Sequence, residues 1–135
     1  MLNDFLSLFY PTICLSCGKA LYKGEKIICT YCNYHLPKTN FHLDKDNPVA
    51  RHFWGKVSIQ AAASYYFFNK GEKVQHLIHQ LKYKGEKEIG VFIGRQYGHD
   101  LKVSPLFNEV NIVVPVPLHF KKKKKRGYNQ SEFVY

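Results

Sequence analysis

No run of about 20 apolar residues occurs in this chain, so no segment of it reads as a membrane-crossing helix. Basic residues are missing from its start. Neither Lys nor Arg precedes Leu2, Phe5, Leu6 and Phe9, and Asp4 interrupts them, which argues against a secretory signal. Those four apolar residues sit at helical spacing and predict one short docking helix. Acidic residues are scarce, 10 against 20 Lys and Arg, for a net charge of +10. The excess is local: Lys121 to Lys125 and Arg126 alone supply six positive charges, so the basicity points to a polyanion meeting one loop. Cysteines number only four, in two tight pairs. Without an export signal they favour a metal over disulfides, and the cytoplasm is the expected compartment. Apolar residues make up 45% of the 135 and aromatics 16%, enough for a packed core and too many for global disorder.

The organisation follows from composition. Residues 1–40 form a small cysteine module, and residues 41–56 have mixed polar character with Pro48 and no period, as a linker would. Residues 57–135 alternate strand-like and helix-like segments. Val57 to Phe68, rich in β-branched and aromatic residues, predicts one long strand or two short ones. Val74, Leu77, Ile78 and Leu81 recur at i, i+3, i+4 and i+7, predicting a helix closed by Gly85. A second helix is predicted from about Glu86 to Leu101. Gly90, Gly94 and Gly98 fall every four residues along it, at a cost of about 1 kcal/mol each against alanine. Close packing of that face against another backbone explains them better than a phosphate loop, whose glycines precede a helix. Val110 to Val114 reads as a short buried strand of a parallel sheet, ended by Pro115 and Pro117. Asn129 or Ser131 would cap a last helix. Two strands and two or three helices do not close an α/β architecture, so the chain reads as cut short.

The cysteines carry the firmest chemistry. Cys14 and Cys17 are separated by two residues, as are Cys29 and Cys32, and each such pair can turn both thiolates toward one ion. Together they predict a closed, tetrahedral, structural zinc site. Four thiolates leave no open position for catalysis. His35 lies near in sequence but is not needed, and a redox pair would require a single Cys-x-x-Cys at a helix start after a strand.

The basic segment carries the second candidate site. A proline-stiffened strand end, a cationic loop and a glycine before a helix make a plausible pyrophosphate or polyanion site. Its candidate residues are Pro115, Pro117, His119, Lys122, Lys124, Arg126, Gly127, Asn129 and Gln130, with Arg126 suited to a bidentate grip. Phe120 and Tyr128 flank the cations and could stack bases, making single-stranded DNA a candidate partner.

The two cysteine pairs, Leu77-Ile78-His79-Gln80-Leu81-Lys82-Tyr83-Lys84-Gly85, and Val114-Pro115-Val116-Pro117-Leu118-His119 followed by Arg126-Gly127-Tyr128-Asn129-Gln130 resemble, in this order, the bacterial ComF family. That resemblance implies a double-knuckle zinc ribbon fused to a type I phosphoribosyltransferase-like, Rossmann-like α/β domain, with pyrophosphate handled near residues 115–130. It also implies a part in DNA uptake during natural transformation, with proteins of the uptake machinery as partners. A complete form would bind phosphoribosyl pyrophosphate with Mg2+ through an acidic pair and a threonine-rich loop. Neither an Asp-Asp pair nor a Thr-x-x-Thr loop occurs here, so the chain is expected to be an inactive front portion, and no catalytic residue is assigned. The alternatives are a DNA-binding zinc module and a scaffold without catalysis. Acceptor substrate and oligomeric state are not encoded in any motif.

Overall fold

The structure, a computed structural model, describes residues 10–134. The docking helix expected from Leu2, Phe5, Leu6 and Phe9 lies outside them. Five α-helices occur among the described residues: α1 (Thr30–His35), α2 (Pro48–Arg51), α3 (Lys73–His79), α4 (Lys87–Lys102) and α5 (Phe120–Arg126). The end of α3 widens into a π-helical turn, Gln80–Lys84, which Gly85 terminates in the left-handed region at φ 81°. The predicted helical face is the buried one, with Val74, Leu77 and Leu81 inside. Ile89 and Ile93 of α4 meet them, and Tyr128, Tyr65 and Leu36 complete the same core.

That core does not stop at the cysteine module. Cys14, Ile28, Cys29 and Cys32 belong to it, so residues 10–40 are packed onto the α3–α4 pair instead of standing apart. Polar contacts reinforce the seam. Gln96 Nε2 donates to Asn33 Oδ1 at 3.0 Å, and Lys38 Nζ pairs with Asp100 at 3.1 Å.

The expected linker is also folded. Asn47, 1% exposed, caps α2 by accepting from the backbone N–H of Val49 and Ala50. Its Nδ2 donates to the carbonyls of Phe41, Asp44 and Ala62 at 3.2, 2.7 and 2.7 Å. One side chain thus ties three separate backbone stretches together, which composition did not reveal.

The expected parallel sheet is not present among the described residues. Two isolated antiparallel bridges, Ile13 with Ala20 and Lys38 with Tyr66, are the β-pairings found there. Within Val57 to Phe68, only the stretch at Tyr65–Phe67 pairs, against Pro37–Thr39. Val110 to Val114 forms no strand and is exposed, not buried. Both segments have strand composition, but β-propensity yields a strand only where a neighbouring backbone completes the ladder. No backbone hydrogen bond joins these two segments among the described residues.

The glycine face of α4 is a close-packing surface at two of its three positions. A Cβ on Gly94 would lie 2.7 Å from the carbonyl carbon of Val134, and one on Gly90 would lie 2.8 Å from Phe133 Cβ. Nothing lies within 4 Å of a Cβ on Gly98. The substitutions should therefore differ in sign. Gly98→Ala is expected to stabilise the protein by up to about 1 kcal/mol, the helix propensity gain. Gly94→Ala should destabilise it, because the obstructing atoms are backbone. Urea unfolding of the two variants checks this, and shifts in the same direction would contradict the packing argument.

Candidate metal centre and basic helix

The first knuckle is a tight hairpin. Cys14 N–H donates to the Lys19 carbonyl at 2.7 Å, Gly18 N–H donates to the Cys14 carbonyl at 2.8 Å, and Gly18 turns the chain at φ 75°. The second knuckle opens α1, with Cys29 as its cap. These two turns bring the sulfurs of Cys14, Cys17, Cys29 and Cys32 within 4.8 Å of one another. Four thiolates around one zinc at about 2.3 Å stand about 3.8 Å apart. Cys17 and Cys29 already lie at 3.9 Å, so the four could hold a zinc ion with little movement. His35 stays outside the cluster, its Nδ1 bonded to the Tyr31 carbonyl and its ring stacked on Tyr31.

The surroundings suit thiolates. Cys29 N–H donates to Cys14 Sγ at 3.2 Å and Cys32 N–H to Cys29 Sγ at 3.4 Å. Burial alone would push the Cys14 thiol up, but backbone N–H donors from Cys29, Cys17 and Ser16 bring it down to about 7. Cys32 is pushed up to about 12, chiefly by burial and further by Cys17 and Cys29, with the Ser16 hydroxyl opposing the rise. That hydroxyl is buried and has no nitrogen or oxygen partner, so a Cys32 thiolate held by a metal is the acceptor its position suits. No other group of three or more His, Cys, Asp or Glu side chains among the described residues is close enough to hold an ion.

The basic segment departs from expectation in form. Phe120–Arg126 is a helix, not a loop, with the His119 side chain accepting from Lys121 N–H at its start and Gly127 closing it at φ 80°. Its sides are unequal. Arg126 donates to Gln130 Oε1 at 2.8 Å and lies over the Tyr83 ring at 5.4 Å, while Lys123 Nζ stands 3.7 Å from Glu132. Lys121, Lys124 and Lys125, at i, i+3 and i+4, lie on the opposite side and are exposed beside Phe120. Lys122 is also exposed.

Several residues expected at a ligand instead hold the segment in place. Tyr128 is 6% exposed, and its hydroxyl donates to the Leu81 carbonyl in the π-helical turn, so its ring offers no face for a base. Asn129 is buried, donates to the Val116 carbonyl at 3.0 Å, and caps the 3-10 turn Gln130–Phe133 by accepting from Ser131 N–H. The predicted cap at Asn129 is therefore present, on a shorter element than expected. Pro115 is half-buried, and Pro117 and Gly127 are exposed. Gln130 and Arg126 are spent on each other. Of the predicted side chains that could meet a ligand, His119, Lys122, Lys124 and Phe120 remain accessible, and Lys121 and Lys125 join them. Helical phase would have singled out these two, had the run been read as a helix. The segments Leu77–Gly85 and Arg126–Gln130, 40 residues apart in the chain, meet here through Tyr83, Leu81, Arg126 and Tyr128.

No family model, curated protein or solved structure matches this chain. Among the described residues no helix is long and apolar enough to cross a membrane.

Proposed function

We propose that this protein is a zinc-stabilised module that grips the phosphates of single-stranded DNA with the outer side of α5. One observation carries the reading: Lys121, Lys124 and Lys125 stand exposed beside exposed Phe120, while Lys123 and Arg126 are engaged with the protein body. Three lysines on one side of a short helix supply charge without a fixed geometry, which suits a flexible backbone. A single exposed ring supplies stacking worth about 1–3 kcal/mol with little dependence on sequence. The zinc does no chemistry in this scheme. It holds the two knuckles against α4, and through that core the element on which α5 rests.

Fluorescence anisotropy of a labelled oligonucleotide tests the proposal. Binding should be weak, tolerant of sequence and steeply weakened by salt, since each phosphate contact on a single strand contributes about −0.7 to the log–log slope. Replacing Lys121, Lys124 and Lys125 together with alanine should flatten that slope by about 2. Arg126→Ala should change it less, because its guanidinium is already engaged. Identical binding by wild type and triple variant would reduce α5 to a solvated surface.

A second reading keeps the ComF resemblance, favoured by the order of its three motif blocks. In it the protein is a phosphoribosyltransferase-like component of DNA uptake, and α5 meets pyrophosphate. Mg2+ and phosphoribosyl pyrophosphate would enter only with an acidic pair and a threonine-rich loop that this sequence does not contain. Inorganic pyrophosphate separates the two. Displacement of the oligonucleotide at low pyrophosphate concentration, or pyrophosphate binding without any oligonucleotide shift, favours the second.

A further inference from the structure

The four sulfurs of the cysteine cluster are not equally sheltered. Cys14 and Cys32 are 1% and 0% exposed and Cys29 is 8% exposed, whereas Cys17 is exposed. Cys17 opens onto a surface cleft of about 750 Å3, lined by both knuckles and by Lys73 of α3. The other cysteine lining that cleft is Cys29, and its sulfur lies 3.9 Å from that of Cys17. Lys19 and Lys23 line the cleft beside Lys73. Glu25, the one carboxylate along it, is taken up by the backbone N–H groups of Tyr22 and Thr30 and by the Thr30 hydroxyl.

We propose that Cys17 is a peroxide-sensitive ligand, whose oxidation joins it to Cys29 and expels the zinc. The inference rests on the metal reading above. Zinc holds its ligands as thiolates, and a thiolate reached by solvent among cations is the one that oxidants attack first. In the first step the Cys17 thiolate attacks one oxygen of hydrogen peroxide. An S–O bond forms, the O–O bond breaks, hydroxide leaves, and Cys17 becomes a sulfenic acid. The Cys29 thiolate then attacks that sulfur, the S–S bond forms, and a second hydroxide leaves. Two electrons pass from the two sulfurs to one peroxide. With two of its four ligands gone, the closed shell no longer holds the ion.

Such a disulfide joins the two knuckles. It is not the bond within one Cys-x-x-Cys pair that a thiol oxidoreductase cycles. Cys14 and Cys32 are poorer partners because they are buried and do not line the cleft. Cys29 caps α1 and shares a core with Leu77 and Ile89, so its oxidation is felt by the helices against which α5 rests. Reduction in the presence of zinc reverses the change.

Treating the zinc-loaded full chain with hydrogen peroxide, while a zinc-binding dye follows the released metal, tests this. Each peroxide consumed should free one zinc and remove two thiols. Peptide mass spectrometry should find Cys17 joined to Cys29, and dithiothreitol with added zinc should restore the far-UV circular dichroism. Cys17→His replaces the exposed sulfur by a ligand that zinc accepts alongside three cysteines. That variant should release its metal at least about tenfold more slowly than wild type under the same peroxide. In the wild type itself, substoichiometric N-ethylmaleimide should label Cys17 before the other three, a measurement that does not depend on how the variant folds. Wild-type release from Cys17→His, equal labelling of the four cysteines, or a disulfide within either Cys-x-x-Cys pair overturns the proposal. Zinc retained under peroxide overturns this inference alone, whereas protein purified without zinc undoes the metal reading and this inference with it.

Discussion

Chelation of zinc from this protein is expected to unfold the cysteine module and to loosen the helices behind it. A structural all-thiolate site contributes an apparent 10–16 kcal/mol or so, comparable to or larger than the roughly 5–15 kcal/mol that holds a typical domain together. Apart from a metal, the knuckles rest on one bridge, turn hydrogen bonds, the Glu25 carboxylate bonded to Tyr22 and Thr30, and the apolar contacts of Leu15, Leu21, Ile27 and Ile28. Because Cys14, Cys29 and Cys32 share a core with Leu77, Leu81 and Ile89, the loss should register as reduced helical circular dichroism and not only as a local change. Elemental analysis should find one zinc per chain.

The four ligands are not expected to be equivalent. Cys32 is fully buried, whereas Cys17 is exposed and its place can be taken by water. Cys32→Ser should abolish zinc retention, and Cys17→Ser should weaken it. Zinc binds thiolates, and burial keeps Cys32 protonated in the ion-free site, so binding releases protons and affinity falls as pH falls. Metal-free protein with disulfides within the cysteine pairs, shown by mass spectrometry, would sink this reading.

Asn47→Ala should be strongly destabilising although it lies outside the apolar core. It removes a helix cap, typically about 1 kcal/mol. It also takes the only side-chain donor seen at the Phe41, Asp44 and Ala62 carbonyls, in a region where an unsatisfied group costs about 1–3 kcal/mol. The expected loss is about 3 kcal/mol, or roughly 10 °C in Tm. Asn47→Asp separates the two roles. It keeps the acceptor that caps α2 but turns a carboxylate toward three carbonyls, so it should be at least as harmful as alanine. Wild-type stability for Asn47→Asp, measured by thermal unfolding, would mean that the cap alone matters.

The parts that sequence determined are those written in local spacing. Two residues between cysteines suffice to form a knuckle, whatever surrounds it, and Cys14, Cys17, Cys29 and Cys32 do converge. The i, i+3, i+4, i+7 pattern of Val74 to Leu81 is a property of one helix, and the same residues are buried. Glycines spaced by four residues announced a close approach, and Gly90 and Gly94 make one.

What only tertiary structure decided depends on partners distant in the chain. Val57 to Phe68 and Val110 to Val114 have strand composition, yet a strand exists only where a neighbour supplies its hydrogen bonds, and composition does not say whether one does. Asn47 looks like a loop residue until the carbonyls of the Phe41–Asp44 turn and of Ala62 meet it. Tyr128 and Asn129 have the chemistry of ligand-binding side chains, but the Leu81 and Val116 carbonyls claim them first. The lysine run itself was plain in sequence. Which of its charges face solvent was settled by the fold, because Tyr83, Gln130 and Glu132 engage Arg126 and Lys123 and leave the other side of the helix to water.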